Sequence, residues 1–116
     1  MKVVRPEEIS PSSVEMNGAK VDGATIRWLI KDSDGAKNFA MRYFELEKDA
    51  VIPIHTHPWE HEVFVLEGKV LITEGDESTE AGPNTAIFVR PDQPHSYKNI
   101  GEGRLKFLCL IPYKGG

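Results

Sequence analysis

The chain of 116 residues has a single cysteine, Cys109, and therefore cannot form an intrachain disulfide. It also has no long apolar run. Its first residues, MKVVRPEEISPSS, are polar and interrupted by proline, so neither a signal peptide nor a membrane-spanning segment is expected. These absences together make a cytoplasmic location the expectation.

Positive charge is also scarce. The 14 Lys and Arg residues are outnumbered by 18 Asp and Glu residues, which gives a net charge of −4 and a pI near 5.5. No cluster of basic residues is interleaved with aromatic residues, so nucleic acid is not an expected partner. The length suits one domain with one core, and we treat residues 1–116 as a single domain.

No segment has the apolar periodicity of a confident amphipathic helix, and at most a helical turn is expected within residues 7–15. Turn-forming residues instead separate short runs of β-branched and aromatic residues. The expected strands are 24–31, 39–47, 62–67, 69–74, 85–90, 96–100 and 105–111. This pattern predicts an all-β sandwich or barrel. A tight hairpin is expected around Gly68, which is free to adopt a positive φ.

Three of the four histidines, His55, His57 and His61, fall within seven positions, and the fourth is His95. Imidazole is the commonest protein ligand for Zn, Cu, Fe and Ni. On one strand, His55 and His57 would project to the same face, and a turn at Pro58 would let His61 face back toward them. If His95 joins them, every histidine belongs to one metal site.

Two ordinary explanations compete with a functional metal site. A lone histidine is usually a surface residue or a satisfied core residue, but this chain has no histidine outside the pattern. A structural zinc site is usually closed and contains cysteine, whereas Cys109 lies outside the cluster. The sequence therefore favours a functional site that keeps open coordination positions.

The segment His55-x-His57-x3-His61-x6-Gly68 resembles the first motif of the cupin superfamily, and Gly82…Pro91…His95-x3-Asn99 resembles the second. Residues 57–61 and 107–112 are similar to those of small single-domain cupins with all-histidine metal ligands. The resemblance implies a double-stranded β-helix, or jelly-roll barrel, with the metal inside one end. It also implies conserved barrel motifs at about 50–112, an N-terminal extension over 1–20, and a homodimer.

The chain departs from the usual cupin pattern at three places. The third metal ligand is usually glutamate, and both His61 and Glu62 compete for that slot. His61 has the expected spacing to Gly68, and strand neighbours point to opposite faces, so we favour His61. Asp49 and Asp92 replace two expected glycines, and both are turn-tolerant replacements.

Four neutral imidazoles would leave a divalent ion its full charge, which favours the M(II) state and Lewis acidity. One divalent ion per chain is expected. Mn or Fe is favoured, and Zn, Ni, Cu or Co is possible. The imidazole tautomers need polar partners, for which Glu60, Glu62 and Asn99 are the nearest candidates along the chain.

Four further residues are candidates for the pocket. Tyr97 shares the face of His95, and we expect Phe107 and Cys109 to lie near the metal, although core packing is the alternative. Leu105 and Ile111 are expected to be core residues on the same face. Arg42 would orient an anionic substrate or donate toward bound oxygen, or else be solvated. Trp59 would be either a lid or a packing residue.

The leading functional hypothesis is a dioxygenase-like, Mn- or Fe-dependent oxidoreductase that acts on a small organic substrate. A non-enzymatic module that binds or senses a small molecule is the first alternative. An isomerase or lyase that uses the ion only as a Lewis acid is the second. The sequence identifies neither the metal nor the substrate.

Overall fold

The computed structural model describes residues 1–113. Short 3₁₀ turns at Pro6–Glu8 and Asp32–Asp34 accompany ten strands. The strands are β1 (Ser12–Met16), β2 (Ala19–Ile30), β3 (Phe39–Leu46), β4 (Val51–His55), β5 (His61–Glu67), β6 (Val70–Glu74), β7 (Glu77–Ala81), β8 (Ala86–Val89), β9 (His95–Asn99) and β10 (Leu105–Pro112). The expected all-β architecture is confirmed.

The strands form two sheets with antiparallel pairing. The larger sheet has the order β1-β2-β3-β10-β5-β8, and the smaller has the order β4-β9-β6-β7. Burial alternates along β5, β9 and β10, as it does when one face of a strand packs on a core. The sheets therefore enclose a common interior, to which β9 and β10 both contribute.

Aromatic and branched side chains fill this interior. Phe107 lies between Phe44 and Tyr97, with ring centroids 5.1 Å and 5.3 Å away. Leu46, Val65 and Leu105 are fully buried nearby in the same cluster. Each such side chain contributes about 1.5–3 kcal/mol to folding. Leu105 is therefore a core residue, as expected.

Three strands lie outside the expected runs, although the histidine spacing did place His55 on a strand. β1 and β7 are polar sequences, Ser-Ser-Val-Glu-Met and Glu-Ser-Thr-Glu-Ala, and lack the apolar alternation that marks a strand. Both are held at sheet edges by two-residue turns at Asn17-Gly18 and Gly75-Asp76. β4 was missed because Pro53 interrupts it. The helical turn expected within residues 7–15 is limited to the 3₁₀ turn, and β1 occupies the later part of that range.

The expected hairpin at Gly68 is wrong, because β5 belongs to the larger sheet and β6 to the smaller one. The positive φ of Gly68 is confirmed at 89°. A Cβ on this residue would lie 2.5 Å from the carbonyl oxygen of Arg104 and 2.9 Å from Cα of Leu105. Gly68 therefore lets the chain cross between the sheets against the start of β10.

Within residues 1–113, no helix is long and apolar enough to cross a membrane.

Candidate metal centre

Strand pairing brings two of the histidines together. His55 ends β4, and His95 begins the neighbouring strand β9 directly opposite it, so their ring centroids are 4.2 Å apart. His57 follows β4 instead of sharing it, which corrects the expectation that both histidines lie on one strand. Its carbonyl oxygen accepts a hydrogen bond of 2.7 Å from the backbone N–H of Asp92. This contact holds His57 against the turn before β9.

Three histidines offer a possible set of metal ligands. One ring nitrogen from each of His55, His57 and His95 lies within 4.8 Å of the others. His61, at the start of β5, borders this group with its ring centroid 4.8 Å from that of His95 and 5.3 Å from that of His57. His61 is only 3% exposed, whereas its competitor Glu62 faces solvent. The geometry therefore brings three histidines together and places the fourth beside them.

Backbone carbonyls fix two of the imidazoles. The Nδ1 atom of His55 lies 2.7 Å from the carbonyl oxygen of Pro53, and that of His95 lies 2.8 Å from the carbonyl oxygen of Gln93. If each Nδ1 donates its proton, each Nε2 keeps a free lone pair. The Nε2 of His95 is buried without a hydrogen-bond partner. A buried nitrogen whose lone pair is free and whose ring is held in place is well suited to bind a metal ion.

Burial favours the neutral form of His55, His57 and His61. Desolvation, followed by the charges of neighbouring histidines and Arg42, lowers the pKa of His57 to about 4. The same causes lower the pKa of His61 to about 3, again with desolvation largest. The pKa of His55 is lowered as well, mainly by desolvation. Neutral imidazole is the form that binds a metal, so these groups need not lose protons to do so.

Arg42 lies on β3 with its side chain toward the interior, so it is not simply solvated. Its Nη2 donates to Sγ of Cys109 over 3.0 Å. Its Cζ lies 5.1 Å from the ring centroid of Phe44 and 5.6 Å from that of Trp28. Its Nε is buried without a hydrogen-bond partner. The guanidinium charge contributes to the lowered pKa values of the histidines and therefore acts on the cluster.

Tyr97 lies two residues after His95 and faces the same interior. Its ring centroid is 5.8 Å from that of His95, and its hydroxyl is buried without a hydrogen-bond partner. Burial raises the pKa of this hydroxyl well above its usual value, and burial also raises the pKa of the Cys109 thiol. Both groups are therefore protonated at neutral pH. Phe107 packs on Tyr97, whose ring in turn lies beside His95.

The polar partners expected for the imidazoles were wrong. Asn99 donates to the carbonyl oxygens of Leu46 and Gly103 over 3.0 Å and 2.9 Å, and its Oδ1 accepts from the N–H of Gly101. These bonds tie the end of β9 to β3 and to the loop before β10. The partners of His55 and His95 are carbonyl groups two residues earlier in each case, and no side-chain pattern marks a backbone carbonyl in a sequence.

Trp28 is the neighbour that sequence reasoning missed. It lies on β2 beneath the guanidinium of Arg42. The other tryptophan, Trp59, stacks on His57 with ring centroids 4.4 Å apart and an interplanar angle of 8°. Trp59 therefore packs directly on a candidate ligand. No residue type in β2 signals that Trp28 reaches Arg42, because that contact depends on the register between β2 and β3, in which the two residues are paired.

Asp49 and Asp92 take left-handed backbone conformations, with φ of 66° and 65°. The expectation that they replace turn glycines is therefore confirmed. The backbone of Asp92 also supplies the N–H that holds His57.

Comparison with known families gives a consistent assignment. Residues 42–111 match the model of a family described as the cupin domain. An uncharacterized protein of Methanocaldococcus jannaschii, MJ1618, is 34% identical over 94% of this chain and 86% of its own length. An oxalate-binding protein of Thermotoga maritima is 25% identical over 94% of this chain and 92% of its own.

Solved structures show the same fold. The polyketide cyclase RemF from Streptomyces resistomycificus superposes with a TM-score of 0.87 and 33% identity, over 97% of this chain and 79% of that one. A predicted oxalate decarboxylase from Thermotoga maritima superposes with a TM-score of 0.80 and 22% identity, over 96% and 98% of the two chains. The predicted oxalate decarboxylase resembles this chain in fold alone, whereas the polyketide cyclase resembles it in both fold and sequence.

Proposed function

The chain belongs to the cupin family, and we propose that it is a metal-dependent enzyme for a small anionic organic substrate that binds through two neighbouring oxygen atoms. The observation that supports this proposal is the charge of the interior. Arg42 is positive, His57 and His61 are neutral, and the buried polar residues of the described chain include no carboxylate.

An acidic side chain beside His95 does not neutralise this charge. Glu74, on β6 opposite His95, accepts hydrogen bonds of 2.8 Å from both the backbone N–H and Nη2 of Arg90. Its negative charge is therefore balanced by Arg90. A divalent ion would add two positive charges to an interior that already holds Arg42. Since unpaired charge in a poorly solvated site is costly, an anionic ligand is the favoured occupant.

We assign the metal to His55, His57 and His95, with His61 as the fourth ligand in place of the usual glutamate. When bound, the ion would supply Lewis acidity toward an oxygen of the substrate. Arg42 would hold the substrate anion, and Cys109 would position Arg42 through their hydrogen bond. The protonated hydroxyl of Tyr97 would donate a hydrogen bond to a developing negative charge on oxygen. Phe107 would exclude water beneath Tyr97.

Two relatives are compatible with this substrate class. Oxalate, named in the Thermotoga maritima protein, is a dianion with two adjacent carboxylates. A polyketide, named in the Streptomyces resistomycificus cyclase, carries enolisable 1,3-dicarbonyl groups whose enolates also bind through two oxygens. We therefore favour Lewis-acid chemistry at an enolisable or carboxylate-bearing centre.

Calorimetric titration with oxalate and with neutral oxamide tests this function. Oxalate should bind the metal-loaded protein and not the metal-free protein, and oxamide should bind at least about tenfold more weakly. Arg42→Met should weaken oxalate binding about thirtyfold, because it removes the fixed cation. Arg104→Met removes an exposed arginine outside the site and is the matched control. Equal binding of oxalate and oxamide would contradict the charge argument.

The oxidoreductase hypothesis is the second candidate, and the all-nitrogen character of the histidine group supports it because neutral ligands favour the M(II) state. The choice of metal separates the two candidates. Equal turnover of a shared substrate by Zn(II)- and Mn(II)-loaded protein would favour Lewis-acid chemistry, whereas substrate-dependent oxygen uptake with Mn(II) or Fe(II) alone would favour a dioxygenase. Recovery of every bound ligand unchanged would favour a non-enzymatic binding module.

We also propose that the chain forms a homodimer through the outer face of its larger sheet. Phe39, Phe64, Leu66 and Phe88 alternate with inward-facing residues and expose much of their apolar surface there. Exposed apolar residues that share one face of a sheet often mark a protein–protein interface. Light scattering should give a dimer mass for the wild type and a smaller mass for Phe64→Glu.

A further inference from the structure

A groove beside the candidate metal centre contacts it through both tryptophans of the chain. Its volume is about 370 Å³, and its wall includes Trp28, Lys31, Trp59 and Tyr113. We call it the tryptophan groove. The volume falls in the range of small-molecule sites. We propose that this groove binds a planar aromatic group of the substrate, and this inference rests on the proposed function because the same molecule must reach the metal.

Continuity with the centre is the first support. Trp59 lines the groove and stacks on His57, and Trp28 lines it and lies under the guanidinium of Arg42. Each indole is therefore shared between the groove and a residue of the proposed centre. A molecule seated in the groove lies one side chain away from a candidate ligand and from the proposed anion-binding arginine.

The chemistry of the lining selects the ligand. Two indoles and the Tyr113 ring provide faces on which a planar aromatic molecule can stack. Nε1 of Trp59 and the hydroxyl of Tyr113 are buried without hydrogen-bond partners among the described residues. Both groups can donate, so oxygen atoms on the ligand would satisfy them after a small side-chain movement.

The charged residues at the rim of the tryptophan groove give only a weak preference for an acidic ligand over a basic one. Lys31 and Asp32 both line the groove, and neither forms an ion pair with any residue of 1–113. The positive charge of Arg42 behind Trp28 adds to that of Lys31. The geometry points to a planar aromatic molecule carrying a carboxylate or phenolate, with its anionic oxygens directed toward Arg42.

Binding of 1-hydroxy-2-naphthoate, measured by calorimetry, tests this site, and oxalate serves as the probe without an aromatic part. Trp28→Leu should raise the Kd of the naphthoate about tenfold in metal-loaded protein and leave the Kd of oxalate within about twofold. Trp28→Phe should recover most of the affinity. Val3→Ala removes exposed apolar surface outside the groove and outside the proposed dimer face, and it should change neither Kd.

The outcomes separate the groove from the centre. If Trp28→Leu raised the Kd of naphthoate and the Kd of oxalate equally, the substitution would have damaged Arg42. That result would overturn the proposal that the tryptophan groove binds the aromatic group. An unchanged naphthoate Kd in Trp28→Leu and Lys31→Gln would overturn it as well. Failure of oxalate to bind the metal-loaded wild type would contradict the proposed function. In that case naphthoate binding to metal-free protein, sensitive to Trp28→Leu, would still support the groove.

Discussion

The two ends of strand β9 carry buried polar side chains with opposite properties. At one end, Asn99 is fully buried and makes three hydrogen bonds that satisfy both ends of its amide. At the other end, His95 is 1% exposed, and its Nε2 has no partner in the described chain. Tyr97 lies between them with a buried hydroxyl that is also unpartnered.

Within the five residues of β9, Asn99 therefore serves the stability of the fold and His95 serves the proposed metal site. A satisfied buried amide links strands and loops, and its loss leaves several backbone groups unpaired. An unsatisfied buried imidazole contributes little to folding and is costly to keep. A metal ion bound between His95 and the two neighbouring histidines would supply the missing partner of Nε2. The comparison therefore predicts that changes at the two ends of β9 affect different measurements.

The largest effect is expected for His95→Leu. This substitution removes one of the three grouped nitrogens, so metal affinity should fall by at least about a hundredfold. The free energy of unfolding of the metal-free protein should change by less than about 1.5 kcal/mol, because removing the unpartnered Nε2 offsets the loss of the hydrogen bond between Nδ1 and the carbonyl oxygen of Gln93. Metal titration and urea unfolding of the same preparation measure both quantities. A large loss of stability with intact metal binding would reverse the comparison.

Asn99→Leu should give the opposite result. Two carbonyl groups and one N–H lose their partner, so the free energy of unfolding should fall by about 3 kcal/mol. The folded fraction should keep its metal affinity within about threefold, because Asn99 contacts none of the histidines through these bonds. If metal binding were lost in folded Asn99→Leu protein, the separation of the two ends would be wrong.

The metal-free protein should lose stability as the pH falls below about 6.5. In the unfolded chain, histidines bind protons near pH 6.5, whereas the pKa values of His57 and His61 in the folded protein are about 4 and 3. The unfolded state therefore binds more protons between these values, and acid favours unfolding. Allowing for the partial exposure of His57, the loss at pH 5.5 should be on the order of 1 kcal/mol.

Urea unfolding between pH 5 and pH 8 measures this effect, and a double variant, His57→Asn with His61→Asn, provides the control. Its stability should depend less on pH in this window. Glu74 and Asp34 have lowered pKa values and titrate below it. A pH profile shared by the wild type and the double variant would show that these histidines are not responsible.

The smallest effect is expected for Glu62→Gln, which should leave metal content and stability unchanged because Glu62 faces solvent. His61→Ala, at the neighbouring inward position, should lower metal affinity. This pair of variants decides between the two candidates for the fourth ligand. Metal content that falls in Glu62→Gln and holds in His61→Ala would assign the ligand to Glu62.

The sequence predicted the parts of the fold that depend on local pattern. The alternation of apolar and polar residues predicted the strands on either side of Gly68 and the last strand, which carries Phe107 and Cys109. It also predicted that His95, Tyr97 and Asn99 share one inward face. The pairing of β5 with β10 instead of β6 was not predictable from alternation, because pairing depends on contacts distant in sequence. The carbonyl partners of His55 and His95 carry no side-chain signal in the sequence, and the contact of Trp28 with Arg42 depends on the register between β2 and β3.

The central claim is that the histidines of β4, β9 and the segments beside them hold one metal ion. Equilibrium dialysis of chelator-stripped, untagged protein against Mn(II) or Zn(II), followed by elemental analysis, tests it most directly. The account predicts one ion per chain in the wild type and almost none in His95→Leu. Folded wild-type protein that takes up no ion, or takes up as much as His95→Leu does, would contradict it.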